Sequence, residues 1–119
     1  MSMYDLKKDI QFYNNHFNKM LRDDRVSGKV IKIQFNSFLD CLNKYIISNS
    51  DLNDYINELV IFLKDTIEGI EYNVFEKEEL KHIVYNVIEY CEIIEKIIIK
   101  LIFEHYLILV NSDLLLPYI

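Results

Sequence analysis

Alanine and tryptophan do not occur among these 119 residues, glycine occurs twice and proline once. All-β and loop-rich folds draw on glycine and proline for their turns, so this supply argues against both. Gly28 and Gly69 alone cannot build a phosphate-cradling glycine loop either. Cysteine is nearly as scarce. Cys41 and Cys91 fall on or beside apolar stripes of different expected helices, where a free thiol acts as a small hydrophobe, and no disulfide framework surrounds them. The N-terminus, MSMYDLKKDI, lacks the basic stretch and apolar run of a secretion signal or anchor. Residues 93 to 110 are the one membrane candidate. Glu95, Lys96, Lys100, Glu104 and His105 interrupt them, and a hydrocarbon core penalises such groups. The expectation is a cytoplasmic protein that does not engage a membrane. Abundant Ile, Asn, Lys and Tyr without Ala point to an AT-rich genome.

What the chain does contain is helical periodicity. A hydrophobic share of 51% in a chain of this length supports one domain, residues 1–119. Met3, Leu6, Ile10, Tyr13, Phe17 and Met20 step by three and four, which places them on one face of a first helix over residues 3 to 22. Ser2 is positioned to cap it, with Asp5 three residues on. After RDDRVSG, where Gly28 is expected to take a left-handed turn, Ile31, Phe35, Phe38, Leu42 and Tyr45, joined by Leu39 and Ile46, mark a second helix from 29 to 47. Its opening, KVIKIQF, alternates like a strand, so a short strand over 29–35 is the competing reading. Ser50 is expected to cap a third helix built on Leu52, Ile56, Leu59, Leu63 and Ile67, with Tyr55, Val60 and Phe62 at the stripe's edges and Gly69 at its end.

The longest stripe comes last. Leu80, Val84, Val87, Cys91, Ile94, Ile98, Leu101, His105 and Ile108 share one face of residues 76 to 110, preceded by Asn73-x-x-Glu76 in the form of a cap and a carboxylate that bonds back to it. The fold expected is all-α, an up-down-up-down four-helix bundle with a long, very hydrophobic C-terminal helix. At about 1.5 Å per residue that helix would span roughly 50 Å against roughly 30 Å for each of the others. It must therefore break or protrude. From Ile93 onward its apolar arc exceeds one helix face, which suits either a central helix or a seam closed by another chain.

Charge divides the chain. Residues 1–60 hold eight basic and eight acidic side chains, and residues 61–119 hold five against eleven. Such a surface repels nucleic acid and attracts basic proteins. Lys19, Arg22, Arg25, Lys29 and Lys32 form the one basic cluster, diluted by Asp23 and Asp24, and read as a solvated hairpin end. No nucleic-acid partner is expected. Glu79-x-x-His82 has the spacing used twice over in carboxylate-bridged di-iron bundles, but it occurs once and on the polar side, so no metal or other cofactor is expected. His105 reads as a structural histidine on the core stripe and His16 as exposed. No serine, cysteine or acid stands in a nucleophile-and-base relation to either, and no enzymatic activity is expected.

Two surfaces remain as candidates. Glu68, Glu71, Tyr72, Tyr85, Glu89, Tyr90 and Glu92 would make an acidic, tyrosine-bearing face for a basic protein partner. Ile99, Ile102, Phe103, Tyr106, Leu107, Leu114, Leu115 and Leu116 would make a self-association seam. The expected function is a non-enzymatic protein-binding module of the inhibitor or immunity type, or a viral or phage accessory protein, that neutralises a basic partner. The alternative is a structural homodimer or assembly subunit with the last helix as its seam.

Overall fold

A computed structural model describes residues 2–115, with side chains described as far as residue 111. Four helices account for nearly all of it: α1 (Met3–Arg22), α2 (Gly28–Leu42), α3 (Ser50–Glu71) and α4 (Lys77–Leu115). α1 packs on α4, α4 on α3, α3 on α2, and α2 more lightly on α1. Short connections make neighbours antiparallel, which closes the four into an up-down-up-down bundle. Residues 29–35 are helical, with no strand among the described residues. The alternation of KVIKIQF is overridden because Ile31 and Phe35, four apart, are both fully buried.

The four stripes meet in one core. Phe17, Phe35 and Phe38 are its largest fully buried side chains. Phe17 meets Phe35 edge-on at 5.5 Å between centroids, and Tyr13 stacks on Phe38 at 4.5 Å, geometries that the ring quadrupole favours. Tyr13 keeps its hydroxyl satisfied against Ser37 Oγ at 2.6 Å.

Helix ends differ from expectation in instructive ways. Ser2 and Asp5 do form the capping box on α1, and the Ser2 N–H and hydroxyl, both donating to Asp5 Oδ2, hold the Asp5 carboxyl below its usual range. The left-handed residue that closes α1 is Asp24 (φ 51°), not Gly28. Arg25 N–H reaches the Met20 carbonyl at 2.9 Å and Asp24 N–H the Leu21 carbonyl at 3.2 Å, the paired bonds of a Schellman closure. Gly28 instead opens α2 behind its cap, Ser27. A side chain there would press on Ile70 Cγ2. Asn73, expected to cap α4, does the same job for α3 at φ 54°, with Val74 and Asn73 N–H returning to the carbonyls of Gly69 and Ile70. The Phe75 ring then lies where a Gly69 side chain would be. The back-bonding carboxylate at the start of α4 is Glu79, whose Oε1 accepts Glu76 N–H at 3.1 Å. α3 is capped by Asn49, one residue before the expected Ser50.

α2 stops at Leu42 rather than near 47. Tyr45 leaves the helix to donate its hydroxyl to Asp9 Oδ2 on α1, and Ile46 is left fully exposed, 101%. A bond that anchors the loop to another helix outweighs continued periodicity.

α4 is unbroken over 39 residues, about 58 Å at ~1.5 Å per residue, and the molecule measures 66 × 25 × 18 Å. Its buried stripe runs from Leu80 to Ile98. Leu101 is half-buried, and His105 and Ile108, expected in the core, are exposed. The reason is length, since past the N-terminus of α1 and the N-terminus of α3 nothing remains for them to pack against.

Two stability experiments follow. Phe38→Ala removes a ring from a fully packed site and should cost about 3–5 kcal/mol in chemical denaturation. Asp24 ties the α1–α2 turn to α4 through Lys81 at 3.2 Å and Lys77 at 3.3 Å, and those lysines hold its carboxyl below the usual 3.8. A depressed carboxylate stabilises the fold above its unfolded pKa and ceases to do so as pH falls through the folded one. Wild type should therefore exceed Asp24→Asn in denaturation midpoint at neutral pH and low salt. The difference should close as the pH is taken well below 3.8, and also in high salt.

Candidate protein-binding surfaces

The acidic residues of the second half of the chain do not all call for the same explanation. Glu78 and Glu79 sit in the first turn of α4, where a carboxylate meets the positive end of the helix dipole, and Glu79 also caps. Their presence is accounted for by the helix. Glu68 and Glu71 lie at the opposite kind of end. The last turn of α3 holds no basic residue, so these carboxylates face the negative end of its dipole. Lys32 Nζ of α2 relieves Glu71 at 3.0 Å. Glu68 and Tyr72 stand exposed beside them.

On α4, Tyr85, Glu89 and Glu92 follow at steps of four and three along the outer face, all exposed. Glu89 also borders a groove between α3 and α4. This groove, about 340 Å³, is lined by Tyr55, Glu58 and Phe62 of α3 and by Asn86, Glu89, Tyr90 and Ile93 of α4. Phe62 and Tyr90 sit ring to ring at 5.8 Å, tilted by 44°. No lysine or arginine lines it. The expected acidic face is thus divided: Glu89 and Tyr90 meet in the groove, Tyr85 and Glu92 flank it on α4, and Glu68, Glu71 and Tyr72 form a separate cluster at the C-terminal end of α3. Tyr55 and Phe62, expected at the edges of the α3 stripe, line this groove together with Glu58, which periodicity does not single out. Their spacing of three and four beside the α3 core stripe, on the side turned to α4, is the signal that points to them.

The second surface is the arm of α4 beyond the bundle. Phe103, Tyr106 and Ile108 are 58%, 59% and 63% exposed, and Ile99, Leu107 and Leu109 are exposed with them. Ile102 is half-buried against the bundle's base. Leu114, Leu115 and Leu116 lie outside the residues whose side chains are described. No helix among the described residues is long and apolar enough to cross a membrane.

The thiols are structurally occupied. Cys41 Sγ donates to Asp9 Oδ2 at 3.3 Å, beside Tyr45 on the same oxygen. Burial, then the Asp9 bond, push the Cys41 thiol up to about 11, and burial pushes Cys91 up to about 12. A thiol nucleophile needs the opposite shift. Both cysteines are free. His82 and His16 are exposed, and His16 Nδ1 pairs with the Phe12 carbonyl at 3.1 Å. Among the described residues no three potential metal ligands converge.

No protein-family model matches this chain, and no curated protein and no solved structure matches it either.

Thiol labelling reads the Asp9 cluster directly. Asp9→Asn removes the carboxylate that helps keep Cys41 protonated, so at pH 8–9 Cys41 should react roughly several-fold faster with an aromatic disulfide. Cys91 should keep its slow rate and serves as the internal control.

Proposed function

We propose that the protein is a non-enzymatic protein-binding module, of the inhibitor or immunity type, that takes a basic partner on the α3–α4 side of the bundle. The observation that carries this reading is the groove itself: an aromatic pair, Phe62 and Tyr90, with Tyr55 beside them and with Glu58 and Glu89 as the only charged lining. A lysine or arginine side chain entering there gains two carboxylates and an aromatic face at once. Tyr85 and Glu92 extend the surface along α4. The cluster at Glu68 supports the same reading from stability, because carboxylates at a helix C-terminus work against the dipole and local rules tend to be broken where function requires it. The acidic bias of the second half of the chain would steer such a partner before contact.

Affinity capture from the source cell should yield a stoichiometric basic protein whose complex weakens as salt rises. Glu58→Lys with Glu89→Lys should reduce that affinity by about two orders of magnitude, since a paired attraction becomes a repulsion. Reversing Glu68 and Glu71 should have a smaller effect, felt chiefly in the association rate. Binding indifferent to all four reversals would rule this groove out as the partner site.

A further inference from the structure

We propose that the projecting arm of α4 pairs with the same arm of a second copy of this chain, antiparallel, to form a homodimer. This goes beyond the basic-partner reading and uses a different surface. Ile99, Ile102, Phe103, Tyr106, Leu109 and Val110 recur at the three-and-four spacing of a coiled-coil seam. Lys100, Glu104 and Asn111 fall together on the other side of the helix. The arm therefore has a seam without charged side chains and a back that carries both of its charges, bordered by Leu107 and Ile108.

Area favours a partner as large as a second arm. Four seam side chains, Ile99, Phe103, Tyr106 and Leu109, are each between 47% and 59% exposed, and Ile102 and Val110 are half-buried beside them. At ~150–250 Å² per large side chain that is on the order of 500 Å² per arm, and two arms together come to the roughly 1,000 Å² at which specific interfaces begin. Three exposed turns of helix are also marginal in water without such cover.

Charge selects a copy of itself at this place and sets the orientation. The chain carries −6 overall, all of it in residues 61–119, so two copies repel where the acidic sides of their bundles face each other. Residues 99–111 hold one lysine and one glutamate and are neutral, which makes the arm a surface through which two copies can approach. Parallel pairing would set the two acidic bundles side by side. Antiparallel pairing puts them at opposite ends of the shared arms, and it brings each arm's tip to the other chain's base. There Ile46 stands fully exposed beside a depression of about 170 Å³ lined by Met3, Leu6, Tyr45, Ile47 and Leu52. In this arrangement both α3–α4 grooves stay open.

The full chain should sediment at twice its monomer mass at micromolar concentration. Phe103→Glu and Leu109→Glu, both on the exposed arm and outside the core, should each weaken the dimer by about tenfold or more, because each buries an unpaired charge. Their far-ultraviolet circular dichroism should stay helical, and Lys100→Gln on the polar back should leave the dimer intact. Cysteine cross-linking reads direction. Ile99→Cys mixed with Val110→Cys should link, and Ile99→Cys alone should not. A monomer at every concentration overturns the proposal, as does a monomer whose arm variants lose binding to vesicles or to a different protein. A dimer in which Ile99→Cys links to itself overturns the antiparallel arrangement. Capture of a basic partner by the groove is read separately, with Phe103→Glu present, so failure of either idea leaves the other standing.

Discussion

One helix in this bundle is longer than anything it packs against. α4 runs 39 residues, whereas α1, α2 and α3 run 20, 15 and 22. Helix packing buries side chains only where a neighbour exists, so the core ends with the shorter helices, at Ile98. Everything distinctive about the molecule descends from that inequality. Within the overlap α4 is an ordinary amphipathic element, its inner stripe buried and its outer face acidic. Beyond the overlap the same helix keeps its apolar residues and loses its cover.

The interior and the ends of the bundle are held by different forces. Apolar burial dominates along the helices, where Phe17, Phe35 and Phe38 interlock and the described residues contain no buried side-chain nitrogen or oxygen without a partner. At the ends, where the backbone leaves four carbonyls or four amides unpaired, geometry takes over. Asp24 and Asn73 accept a left-handed conformation that most side chains avoid, and in return two helices, α1 and α3, end in tight closures that pair their last carbonyls. Asp24 then recovers stability through Lys77 and Lys81, so the turn that ends α1 also fixes the start of α4.

Much of this was legible in the residue order. The steps of three and four identified Leu6, Ile10, Tyr13 and Phe17 as core, and likewise Leu52, Ile56, Leu59 and Leu63, because those positions face neighbours along their whole length. The same rule carried on through His105 and Ile108, where it no longer predicts burial, since periodicity describes one helix and burial depends on a second. Tyr45 shows the complementary failure. Its spacing continues α2, but its hydroxyl is taken by Asp9, 36 residues away in sequence, and no local pattern encodes that partner. The groove was half visible. Glu89 and Tyr90 stood out by type, whereas Tyr55, Glu58 and Phe62 gain meaning only once α3 is laid against α4.

The distribution of charge separates what the fold needs from what it tolerates. Carboxylates at the start of α4 stabilise that helix, and Asp5 stabilises α1 through its bonds with Ser2. Those at the end of α3 oppose its dipole and are relieved only in part, by Lys32 on Glu71. Glu58 and Glu89 line an aromatic groove with no cation to answer them. A chain selected for stability alone would move such charges or pair them. On the two readings proposed above, the carboxylates of the α3–α4 side would meet a basic partner electrostatically, and the seam of the projecting helix, which carries no charge, would meet a copy hydrophobically. The two proposed surfaces would not compete, because charge that draws a basic partner to the body would also keep two bodies apart and leave the arm to the second copy.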